Sequence, residues 1–128
     1  MDLVAYLRPL FKDLATWNSW LIVLKAIFAL PMDETDRTVF TSLTGRQTPP
    51  ATQVRESWWV IGRRGGKSFI VALVAVFLAC FFDYRPFLGP GEIGVVMVIS
   101  TDRKQNRVII RYLTAILNSV PMLRAMIV

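Results

Sequence analysis

The stretch Gly62-Arg63-Arg64-Gly65-Gly66-Lys67-Ser68 holds the residues whose types and spacing could do chemistry. Glycines let backbone N–H groups turn toward an anion, a lysine supplies a point charge for β- and γ-phosphates, and a serine hydroxyl suits Mg²⁺. A helix beginning near Lys67 would add the positive end of its dipole to the same place. The spacing departs from the common G-x-x-x-x-G-K-[ST] form. The residue five before Gly66 is Ile61, so with Gly62 as the opening glycine the loop is one residue short. Without a ligand, the same residues make a basic turn ahead of an apolar helix.

A phosphate loop needs a strand to deliver it and a helix to receive it, and the flanking residues have those patterns. Ser57 to Ile61 is short, rich in tryptophan and β-branched residues, and ends at glycine, which predicts a buried strand. The apolar run Phe69 to Phe82 has the length of a helix. The loop "DYRPFLGPGE" then leads to Ile93–Ile99, whose unbroken Ile/Val/Met character predicts a strand buried on both faces. Strand, helix, strand is the parallel crossover unit. Asp102 and Gln105 have capping-box spacing and open a further helix that Pro121 ends, and Met122 to Val128 could begin a third strand.

Upstream the pattern is helical. Trp17, Trp20, Leu21, Leu24, Ile27 and Phe28 recur at three- and four-residue steps before Pro31. Asp33 is placed to cap a second helix in which Val39, Phe40 and Leu43 face inward and Gly45 supplies the stop. Gly45 and Pro49-Pro50 break the chain between the two patterns. The expected fold class is therefore α/β, in three parts: a helical segment over 1–44, a linker over 45–56, and an incomplete core with a parallel sheet over 57–128.

Composition narrows the partners. With 15 Lys+Arg against 9 Asp+Glu and a sequence pI near 10.1, the chain favours anionic partners: nucleic acid, nucleotide phosphates or an anionic membrane surface. The longest apolar run, Phe69 to Phe82, falls short of the roughly 20 residues a spanning helix needs. Cys80 is the single cysteine and there is no histidine, which excludes an internal disulfide or a Cys/His zinc site. Met1 to Leu10 carry Asp2, Arg8 and Pro9 and lack a secretory layout. These features predict an unexported protein of a reducing compartment.

Two further candidates are weaker. Arg103, Arg107 and Arg111 recur every four residues, a spacing that follows a phosphate backbone and equally describes the wet side of an amphipathic helix. The second, Arg46 and Gln47, lies in a polar loop that joins the two patterns. Asp83, Glu92 and Asp102 are the acidic residues after the loop, and none ends an apolar strand as Asp-Glu, the pair that would hold Mg²⁺ and polarise an attacking water beside a phosphate loop.

The loop resembles the deviant Walker A motif of the large subunits of tailed-phage terminases, written small-Arg-Gln-x-Gly-Lys-Ser/Thr, with the same shortened spacing. Gly62 takes the small position, Arg63 the arginine and Gly66-Lys67-Ser68 the end, while Arg64 stands where glutamine is common. "WNSWLIVLKAIFALPM" is similar to the helical lead-in of that family, "TGRQTPP" to its adenine-side motif, and "VVMVISTDRKQNRVIIRYL" to its second strand and following helix. The resemblance implies a helicase-like P-loop NTPase that drives DNA into a procapsid in the host cytoplasm. It implies ATP and Mg²⁺ as cofactors, Lys67 on the β- and γ-phosphates, Ser68 on Mg²⁺, and Gly65 and Gly66 amides on phosphate oxygens. Arg63 would sense the γ-phosphate, with Arg64 beside it. Double-stranded DNA, the portal, the small terminase subunit and further copies in a ring are the implied partners. Because the acidic strand motif and the nuclease carboxylates are not in the sequence, the expectation is an N-terminal part of a longer protein, one that binds nucleotide without turning it over. A helicase-like ATPase of another kind, or a non-catalytic basic nucleic-acid module, are the alternatives.

Overall fold

The computed structural model describes residues 10–127, the Leu14 side chain aside, so the reading of Met1 to Pro9 and Val128 lies outside the described residues. The chain divides into two compact units, with the boundary between Val60 and Ile61.

The first unit is a helical pair. α1 (Leu14–Ile27) begins at Asp13, whose carboxylate accepts from the Ala15 amide at 3.0 Å and the Thr16 hydroxyl at 2.8 Å. Its apolar stripe buries Leu21, Ile22 and Leu24. α2 (Glu34–Thr44) opens with a reciprocal capping box between Asp33 and Asp36 and closes on Gly45 in the left-handed region, φ 70°. Phe40 is buried as its position predicts, whereas Leu43 is half exposed, which corrects its expected inward face. The buried Asp36 also takes Lys25 of α1 as its ion-pair partner. Beyond α2 the chain returns along α1, where the Val54 amide donates to the Ile27 carbonyl at 3.0 Å and Trp59 meets Trp20 edge-on at 5.3 Å.

The second unit is built on α3 (Lys67–Phe81) and α4 (Arg103–Ser119), which pack against each other, with the short α5 (Pro121–Arg124) against α4. α3 is apolar around nearly its whole circumference and buries Ile70, Ala72, Leu73, Ala75 and Val76. α4 presents Ile109 and Ile116 to the interior and is capped by Asp102, which accepts from the Gln105 amide at 2.9 Å. A 3₁₀ turn (Arg85–Phe87) follows α3.

The α/β fold class with a parallel sheet is overturned: the regular structure of the described residues is helical throughout. Ser57 to Ile61 and Ile93 to Ile99 carry no strand assignment, and no backbone hydrogen bond joins 93–99 to another segment of the described chain. Nor is either buried as expected. Trp58 is 88% exposed, while Ile93, Val95, Met97 and Ile99 are 85%, 79%, 75% and 84% exposed. The alternation of a strand survives in 93–99, because the intervening Val96 and Val98 line a cleft of about 290 Å³ with Ala75, Ala79, Ile110 and Leu113. β-branched, uncharged residues express a preference for a pleated apolar setting, but a strand exists only when a second backbone stands beside it. The third expected strand, Met122 to Val128, is corrected as well: Pro121 starts a helical turn that buries Leu123.

Candidate phosphate-binding site

Gly62 to Ser68 forms a turn that feeds directly into α3. Arg64 lies in the left-handed region at φ 63°, as does Gly66 at φ 76°. Between them the Gly65 amide donates to the Gly62 carbonyl at 3.4 Å, a long bond that closes the turn. Gly65 is held to glycine by space: a Cβ there would stand 2.5 Å from Ile61 Cγ2 and 3.3 Å from the Gly62 carbonyl oxygen. Gly66 is the N-cap residue of α3. Its carbonyl accepts from the Phe69 and Ile70 amides at 3.1 and 3.2 Å.

An α-helix leaves its first amides without intrahelical partners, and a side-chain cap usually takes one of them. α3 has no side-chain cap and no acidic residue in its first turn. Its sibling helices α1, α2 and α4 are each capped by an aspartate. The start of α3 is thus a positive dipole end, with the exposed Lys67, Arg63 and Arg64 beside it and Ser68 half-buried on the first turn. No salt bridge among the described residues involves these three cations. All seven loop residues singled out from the sequence share this turn. The arrangement can hold an anion with several oxygens.

The other candidates fall elsewhere. Arg46 and Gln47 belong to the first unit and are exposed. Arg103, Arg107 and Arg111 are exposed on α4, opposite its buried Ile109 and Ile116. One link between α4 and the loop escapes a motif search. Phe69, in the first turn of α3, meets Tyr112 edge-on at 5.5 Å, and the Arg111 guanidinium lies 5.7 Å from the Tyr112 ring centre. Phe69 and Tyr112 stand out in the sequence only as members of apolar faces.

Charge is divided unevenly. Residues 1–60 carry six basic side chains and six acidic ones, whereas 61–128 carry nine against Asp83, Glu92 and Asp102. Those three acids are engaged locally. Asp83 grips Arg85 through two bonds of 2.8 Å, and this holds its carboxyl down to about 2; Glu92 accepts from the Gly89 amide at 2.7 Å; Asp102 caps α4. Among the described residues no group of His, Cys, Asp and Glu is placed to hold a metal ion. No helix among them is long and apolar enough to cross a membrane. Set against family models, curated proteins and solved structures, the chain matches none of them.

Proposed function

We propose that the Gly62–Ser68 loop binds the phosphates of a nucleotide, ATP with Mg²⁺, and that the chain is the ATP-binding portion of a DNA-packaging motor of the terminase large-subunit kind. The uncapped, glycine-entered start of α3 carries the reading, with Lys67, Arg63 and Arg64 in no ion pair among the described residues. The site so described lies in the loop and its helix and involves no parallel sheet. Lys67 engages the β- and γ-phosphates, Ser68 the Mg²⁺, and the first amides of α3 the phosphate oxygens. Arg63 stands at the γ-phosphate, where its guanidinium suits a bidentate grip. The parent assembly would work on double-stranded DNA in the host cytoplasm, as a ring with portal and small-subunit partners.

Calorimetric titration of the full chain with MgATP tests this. Lys67→Ala removes a charge-assisted contact of about 1.5–3 kcal/mol and should weaken binding roughly 10- to 100-fold. Unchanged affinity in that variant would overturn the reading. The charge excess of 61–128 favours a second one, a non-catalytic basic module that holds nucleic-acid phosphates. In that case DNA binds, ATP does not, and Mg²⁺ makes no difference. A helicase-like ATPase would share the loop chemistry and differ in what the motor does with DNA.

A further inference from the structure

We infer that the solvent face of α4 is a docking surface for the backbone phosphates of duplex DNA. Only the choice of DNA as the polyanion rests on the proposed function. The surface itself follows from charge and packing. Arg103, Lys104, Arg107 and Arg111 are all exposed and fall within about 100° of the helix circumference, opposite Ile109 and Ile116. None of the four belongs to a salt bridge among the described residues, and the acids of the same unit are occupied at Asp83, Glu92 and Asp102. Asp102 sits at the start of the stripe, but its carboxylate is turned to the Gln105 amide.

Four-residue steps place successive arginines about 6 Å apart along the axis, so three of them follow a run of phosphates for about 12 Å. Guanidinium groups grip phosphate oxygens with paired donors, and the Tyr112 ring beside Arg111 steadies one of them. An anionic bilayer is the poorer fit. A basic amphipathic helix binds membranes by burying its apolar side among lipid tails, and α4 has that side packed on α3. The surface reads charge and carries no sequence preference.

The test is fluorescence anisotropy of a labelled DNA duplex with the full chain over a salt series. For the wild type, log K should fall linearly with log salt concentration. Replacing Arg103, Arg107 and Arg111 together by glutamine should reduce the slope by about 2.7, from about 0.9 per phosphate contact. The Arg→Lys version of the same triple should keep most of the slope, which separates charge from damage to the fold. A control triple in the first unit, Lys12→Gln with Arg46→Gln and Arg55→Gln, removes the same charge and should leave the slope nearly intact. Equal losses from both glutamine triples, an unchanged slope in the α4 triple, or binding to phosphatidylserine vesicles without binding to duplex would each overturn the inference. Lys67→Ala separates it from the proposed function. A chain that binds MgATP through Lys67 but no duplex overturns the α4 surface alone, and one that binds duplex through α4 but never MgATP overturns the nucleotide reading alone.

Discussion

The two halves of this chain are held by different kinds of force. Residues 14–44 form a pair of helices tied by directed contacts: an aspartate cap on each, a reciprocal box at Asp33 and Asp36, a left-handed glycine stop, and the Lys25–Asp36 ion pair between them. Residues 61–127 rely on the apolar bulk of α3 against α4, and Arg85 is the one cation there with an acidic partner in a salt bridge among the described residues. The first unit, residues 1–60, balances six basic side chains against six acidic ones. The second accepts self-repulsion, with nine basic side chains against three acidic ones over 61–128.

Substitutions can break that contrast, beginning with the largest effect. Leu73→Ala in α3 empties a site that is 1% exposed and should cost about 3–5 kcal/mol, read by chemical denaturation; Leu24→Ala in α1, at 0%, should cost as much. Apolar burial is thus common to both halves, and a small loss at either position would remove that shared baseline. Asp36→Ala distinguishes them, because it deletes half of the capping box and strands Lys25, whose side chain is only 21% exposed. We expect a loss of about 2 kcal/mol confined to the first unit in amide-exchange measurements, with Asn at the same position restoring only part of it. Gly45→Ala should cost about 1 kcal/mol through the left-handed backbone alone, since no atom stands within 4 Å of the added methyl. Adding salt, from about 0.05 to about 0.5 M, should stabilise 61–128 slightly while leaving the first unit level or weaker. The smallest effect concerns Asp83. Its carboxyl is depressed by the Arg85 guanidinium, so this contact contributes above the ordinary carboxylate range and is lost only as pH falls through about 2. Chemical-shift titration of the Asp83 carboxyl should show no step between about pH 7 and pH 4.

The helices were legible because their signals are local. Asp33 and Gly45 mark both ends of α2, and the spacing from Asp102 to Gln105 marks the start of α4. The turn from Gly62 into α3 was legible for the same reason, since Gly65 and Gly66 mark it within a few residues. The expected sheet failed, because strand pairing is not local and composition alone does not supply it. Ile93 to Ile99 has the composition of a buried strand, yet no backbone hydrogen bond joins it to another described segment, and four of its side chains face outward. Leu43 and Met122–Val128 failed in a milder way. At Leu43 an apolar type suggested an inward face, although folded surfaces are largely apolar, while the strand expected from Met122 gave way to the helical turn that Pro121 starts. The aromatic contact from Phe69 to Tyr112 needed coordinates, because the two rings stand far apart in the sequence and on different helices.

The extended run from Ile93 to Ile99 also makes the molecule its own reporter. Its amides form no hydrogen bonds to the described backbone, so they should trade hydrogen for deuterium almost as fast as a free peptide, between helices that trade slowly. Any molecule that pairs a backbone along one edge of this stretch would slow alternate amides, about half of its seven, against a background close to zero, and mass spectrometry would register its arrival without a label or an activity.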